Sequence, residues 1–111
     1  MQAPLLTVVV AAYNEAQAIP LLQPRIAATL DALPGIEGRV LYVDDGSHDG
    51  TWAVLQALVA ADPRVSALRL SRNFGKEAAL TAGLDRVQAG AALILDADGQ
   101  DPPELIGEFV R

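Results

Sequence analysis

Cysteine is absent from these 111 residues, which excludes disulfide frameworks, thiol nucleophiles and thiolate metal sites together. Histidine occurs once, as His48, and one imidazole cannot assemble a zinc site. No apolar run approaches the roughly 20 residues that span a bilayer, and Met1-Gln2-Ala3-Pro4 lacks the basic region of a signal peptide, so a cytoplasmic chain is expected. Basic residues are scarce: eight stand against fourteen acidic ones, for a net charge of −6. Such a chain repels nucleic acid and anionic lipid as a whole, and an anionic ligand would need local help from a cation or a helix amino terminus. What remains is the composition of a single folded domain, 51% hydrophobic and 20% charged, too apolar for disorder.

The apolar residues alternate between two periods. Leu5 to Ala11 is a continuous, β-branched run, as in a strand buried on both faces of a parallel sheet. From Ile19 onward, apolar residues recur at Leu22, Ile26, Leu30 and Leu33 with helical spacing until Pro34-Gly35; Pro20 suits the first turn, while Pro24 is expected to bend or delay the helix. Val40 to Val43 forms a second strand. Asp49 is expected to cap a helix whose apolar face includes Trp52, Leu55, Leu58 and Val59 and which ends before Asp62-Pro63. Val65, Leu68 and Leu70 mark a third strand, Gly75 opens a helix reaching Gly90, Ala92 to Leu95 is a fourth strand, and Glu104 to Arg111 begins another helix. This β-α-β-α-β-α-β order, with connections long enough for right-handed crossovers, predicts a Rossmann-like α/β domain: a parallel sheet in the order 3-2-1-4 with helices on both faces.

Each predicted strand ends in a polar cluster, and in open α/β sheets ligands bind beyond the carboxyl ends of the strands. The last cluster is the most informative. Leu93-Ile94-Leu95 delivers Asp96 and Asp98, one residue apart, into a loop forced by Gly99 and Pro102-Pro103. Two carboxylates so placed can hold a hard divalent cation, Mg²⁺ or Mn²⁺, together with substrate phosphates; they can equally cap the next helix. Arg72 and Lys76 can meet phosphate oxygens or these carboxylates, or form a surface pair that balances an acidic edge. His48 reads as a solvated loop residue.

Four segments in order, Val9-Val10-Ala11-Ala12-Tyr13-Asn14-Glu15, Val43-Asp44-Asp45-Gly46-Ser47-His48-Asp49-Gly50-Thr51, Ser71-Arg72-Asn73-Phe74-Gly75-Lys76 and Asp96-Ala97-Asp98-Gly99-Gln100-Asp101-Pro102-Pro103-Glu104, resemble the successive motifs of glycosyltransferase family 2. Within it they are most similar to the polyprenyl-phosphate glycosyltransferases, which act on dolichol or undecaprenyl phosphate. The resemblance implies the amino-terminal, donor-binding half of a GT-A fold and an inverting, metal-dependent transfer from a UDP-, GDP- or dTDP-sugar to a polyprenyl phosphate. It places Tyr13, Glu15 and Asp45 at the base and ribose, and Asp96, Asp98 and Gln100 on the Mg²⁺ or Mn²⁺ of the diphosphate; Asp96, and by their own charge and position Arg72 and Lys76, are candidate nucleotide-sugar contacts as well. Side-chain chemistry agrees, since Tyr13 can stack on a base and Asp45 can accept from an imide N–H.

The resemblance also implies that residues 1–111 stop short of an acceptor half, that this chain alone is inactive, that an exposed sheet edge invites self-association, and that the full-length protein works at the cytoplasmic face of a membrane. Two positions depart from the family pattern, Ala11 where proline is usual and Gly99 where leucine is common, and neither removes a ligand. A receiver-like signalling domain phosphorylated on Asp is one alternative, suggested by Asp44-Asp45, but that pair follows the second strand instead of the first. A sugar-nucleotide pyrophosphorylase-like domain is another, but Tyr13-Asn14-Glu15 stands where its Gly-rich basic loop would be.

Overall fold

The strand predicted to be buried on both faces is a central one. In the computed structural model, which describes residues 4–87, 90–97 and 103–105, β1 (Leu5–Ala12) lies between β2 (Glu37–Asp44) and β4 (Ala91–Asp96), and β3 (Val65–Arg69) flanks β2. Every pairing is parallel, in the order β3-β2-β1-β4. The crossovers are α1 (Ile19–Asp31), α2 (Thr51–Ala61) and α3 (Lys76–Arg86), and a single 3₁₀ turn follows at Pro103–Leu105.

Alternation along the strands divides the interior into two layers. Val8 and Val10 with Val40 and Tyr42 face Leu22, Ile26 and Leu30 of α1 and Leu55 of α2. Val9, Leu41 and Val43 point the other way, against Ala79 of α3. The absence of a side chain at Gly83 lets α3 sit close to the sheet: a Cβ there would lie 2.7 Å from Val9 Cγ1 and 2.9 Å from Val43 Cγ2. Register then aligns the strand ends, pairing Ala12 with Asp44, Asp44 with Arg69 and Ala11 with Asp96. All four polar clusters therefore leave the sheet at one edge.

Several local expectations change. Pro24 does not delay α1, which starts at Ile19 and runs through it; Pro20 and Pro24 are both exposed, so the Pro20 carbonyl that lacks an N–H partner faces water. Asp49 sits one residue before the Gly50 N-cap position, yet it still accepts from the Thr51 N–H at 2.9 Å. Val59, expected on the buried face of α2, is exposed. Helix α3 ends at Arg86 instead of near Gly90, with Val87 already extended. Of the expected helix from Glu104, only Glu104 and Leu105 are described, within the 3₁₀ turn.

One polar contact crosses the larger core. The Tyr42 hydroxyl, wholly buried, donates to Gln23 Oε1 at 2.5 Å, and burial pushes the phenol's pKa well above its ordinary value. A raised folded-state pKa contributes stability that is complete below the unfolded value near 10 and lost as pH rises beyond it. Tyr42→Phe leaves the Gln23 carbonyl buried without its donor and is expected to cost about 1–3 kcal/mol in urea denaturation at neutral pH. The variant should also lose less stability than wild type between roughly pH 10 and 11. Parallel alkaline profiles for the two proteins would contradict this.

Candidate functional site

The loop after β1 is stitched to the loop after β2. Asn14 adopts a left-handed backbone, φ 53°, which a non-glycine residue holds only when its surroundings over-determine it. They do: the Asn14 N–H donates to Ser47 Oγ at 2.8 Å, Asn14 Oδ1 accepts from the His48 N–H at 2.9 Å, and the Glu15 N–H donates to Thr51 Oγ1 at 2.9 Å. The Ala16 N–H reaches Asp49 Oδ2 at 3.3 Å. Hydrogen bonds from Thr51 hold the Asp49 carboxyl below the usual carboxylate range. Tyr13 is thereby set at the rim, 41% exposed, with the His48 ring edge-on at 6.5 Å.

Asp44 and Asp45, adjacent in sequence, do different work. Asp44 is fully buried: Oδ1 accepts from the Ser47 N–H at 3.0 Å, while Oδ2 has no hydrogen-bond partner among the described residues and faces the Arg69 Nε 4.0 Å away. Asp45 turns to the loop after β3, accepting from the Phe74 N–H at 2.8 Å, the Gly75 N–H at 3.1 Å and Asn73 Nδ2 at 3.2 Å. Gly46, at φ +69°, makes this possible, since a Cβ there would run into the Arg72 and Asn73 backbone. With Gly75 held, Lys76 opens α3 and pairs its Nζ with Asp96 Oδ1 at the end of β4.

These loops enclose an open cavity of about 250 Å³ lined by Ala11, Ala12, Tyr13, Glu15, Asp45, Asn73, Gly75, Lys76, Asp96 and Ala97. Five of the residues singled out in the sequence, Tyr13, Glu15, Asp45, Lys76 and Asp96, are thus brought together. Arg72 is not among the lining residues; its guanidinium stacks 4.4 Å over the exposed Phe74 ring. Asp98 and Gln100 lie outside the described residues. Asn73 and Asn14 lacked individual roles in the sequence reading, although an asparagine beside a required turn is the signal that marks each. Asp44 and Asp45, the acidic pair of the receiver-like alternative, are both buried, and Asp45 is engaged by three donors from the loop after β3.

Residues 7–111 match the family model described as Glycosyl transferase family 2. The chain is 38% identical over 106 residues to a prophage bactoprenol glucosyl transferase homolog of Escherichia coli (strain K12), covering 96% of this chain and 34% of that relative. It therefore spans about a third of the relative's length. Among solved structures it is similar to the mannosyltransferase PcManGT from Pyrobaculum calidifontis in complex with GDP-Man and Mn²⁺, with a TM-score of 0.75 and 28% identity over 88% of this chain and 28% of that one. It also resembles S. aureus TarS in complex with UDP, with a TM-score of 0.70 and 25% identity over 88% of this chain and 28% of that one. The parallel sheet is accordingly that of the GT-A glycosyltransferases, in the order expected from the sequence.

Proposed function

Because the chain belongs to glycosyl transferase family 2, we propose that its pocket binds the nucleoside diphosphate of a nucleotide-sugar and that the whole protein transfers the sugar to a polyprenyl phosphate. The observation that carries this reading is the convergence of Tyr13, Glu15, Asp45, Lys76 and Asp96 from four separate strand ends on one cavity. GDP-Man and UDP in the two structural neighbours support the donor class, and the bactoprenol glucosyl transferase homolog supports the acceptor class.

The roles follow from placement. Tyr13 offers an exposed ring face to a base. Asp45 has about four acceptor positions and gives three to the loop after β3, which leaves one for a base N–H. Asp96, with Asp98 and Gln100, would supply an all-oxygen donor set of the kind that suits Mg²⁺ or Mn²⁺, and Asp96 already attracts a cation in the form of Lys76. A divalent ion held there would neutralise charge on the departing diphosphate, where charge grows as an acceptor oxygen attacks the anomeric carbon from the opposite face. A phosphate acceptor is already ionised at neutral pH and asks less of a general base than an alcohol does. We assign acceptor positioning to the part of the protein that corresponds to the remaining length of the relatives, so that these 111 residues bind donor without turning it over.

Calorimetric titration with UDP-glucose, GDP-mannose and dTDP-glucose, each with Mn²⁺ and with EDTA, tests the reading. One base should be preferred, and Mn²⁺ should tighten its binding by at least about tenfold. Failure of all three to bind in Mn²⁺ would reject it.

A further inference from the structure

The Lys76–Asp96 ion pair joins the two residues that a nucleotide diphosphate and its cation would each claim, and that overlap has a consequence. Lys76 is the only lysine in the chain and, among the described residues, the only basic one lining the pocket, where the other charged ones are Glu15, Asp45 and Asp96. We infer that Lys76 is an exchangeable internal cation. It holds Asp96 when the pocket is empty, yields that carboxylate to a divalent ion, and moves its ammonium onto the incoming diphosphate. The inference rests on the nucleotide-sugar reading and deepens it, because it predicts that nucleotide and cation bind cooperatively.

The anchor and the arm of this device differ in rigidity. The Phe74 and Gly75 N–H groups are held by Asp45, so the backbone that launches Lys76 is fixed. Its side chain is 59% exposed, against 22% for Asp96, and it ends in a compact ammonium on a flexible four-carbon stem. Such a half-solvated pair is weak, so a divalent ion can displace the ammonium, yet the pair still opposes a divalent ion that arrives alone. A diphosphate gives the released ammonium a new anionic partner. Cation binding and nucleotide binding therefore each strengthen the other, by the same factor.

Mn²⁺ titrations of the 111-residue chain, read from the electron paramagnetic resonance of the free aqueous ion with and without GDP or UDP, provide the test. Lys76→Met should bind Mn²⁺ alone about two- to fivefold more tightly than wild type, the size expected for loss of a partly exposed ion pair. It should bind nucleoside diphosphate with Mn²⁺ more weakly, which reduces the coupling. Arg86→Met, an equal charge change at the far end of α3, should leave both affinities near wild type and so exclude a general charge effect. Selective ¹³Cε labelling of lysine supplies a second readout, since one signal is expected, and it should shift with Mg²⁺ and again when nucleotide follows. Mn²⁺ binding that requires Asp96 but is unchanged or weakened in Lys76→Met would overturn the exchange and leave the nucleotide-sugar reading standing. Absence of Mn²⁺ binding in every protein, with nucleotide present, would overturn the cation reading beneath it.

Discussion

Gly46→Ala is expected to lower stability by about 2–5 kcal/mol and to abolish nucleotide binding, although it adds one methyl group at a residue that does not line the pocket. Two effects sum. At φ +69° an L-residue is strained by roughly 1–2 kcal/mol. The new Cβ would also fall within the contact distance of the Arg72 carbonyl carbon and the Asn73 nitrogen. Those are backbone atoms, so the loop after β3 must shift bodily, and over-packing of that kind costs about 1–3 kcal/mol more. A domain of this size holds only about 5–15 kcal/mol in total. The displaced loop would withdraw the Asn73, Phe74 and Gly75 donors from Asp45 and carry Lys76 away from Asp96. Gly35→Ala is the matched control, because Gly35 also has a positive φ, +72°, but nothing lies within 4 Å of its added Cβ. In urea denaturation Gly35→Ala should lose only the strain of about 1–2 kcal/mol and keep its ligand affinity. Equal losses in the two variants would show that the approach of the Arg72-Asn73 backbone to Gly46 has no energetic weight.

The second large effect is expected at the metal loop. Asp98→Ala should weaken Mn²⁺-dependent nucleoside diphosphate binding at least tenfold, about 1.4 kcal/mol, and Asp96→Asn should do the same from the other side of the proposed donor set. A diphosphate entering a pocket lined by Glu15, Asp45 and Asp96 meets more like charge than Lys76 alone offsets, and a shared divalent cation turns that repulsion into attraction. Calorimetry with EDTA in place of Mn²⁺ should bring wild type down to the level of both variants. Should wild type and Asp98→Ala bind equally in Mn²⁺, or wild type bind equally in EDTA, the metal assignment would be wrong.

Strand and helix content, the parallel order and the edge that carries the site were legible because each rests on a local or short-range pattern. The β-branched, largely apolar run Leu5 to Ala11 reads as a strand covered on both sides, and a right-handed crossover then leaves few topologies. Helix faces were less legible. In α2 every residue except Thr51 and Gln56 is apolar, so periodicity alone does not identify the exposed ones; packing buries Leu55 and leaves Val59 outside.

By itself, the amino-acid order determined the alternating α/β chain, the four clusters at the strand ends and the family to which they belong. Tertiary structure alone decided what each cluster touches. Asp44 and Asp45 are chemically identical, buried neighbours, but Asp44, the last residue of β2, meets the Ser47 N–H and Arg69, while Asp45, just past the strand, holds a loop 28 to 30 residues away. Arg72 and Lys76 carry the same charge four positions apart, yet one lies over Phe74 outside the pocket and the other reaches Asp96 inside it. The physical reason is that a charge is read by whatever lies within a few ångströms of it, and in a parallel sheet those neighbours come from distant strands brought together only when the register closes.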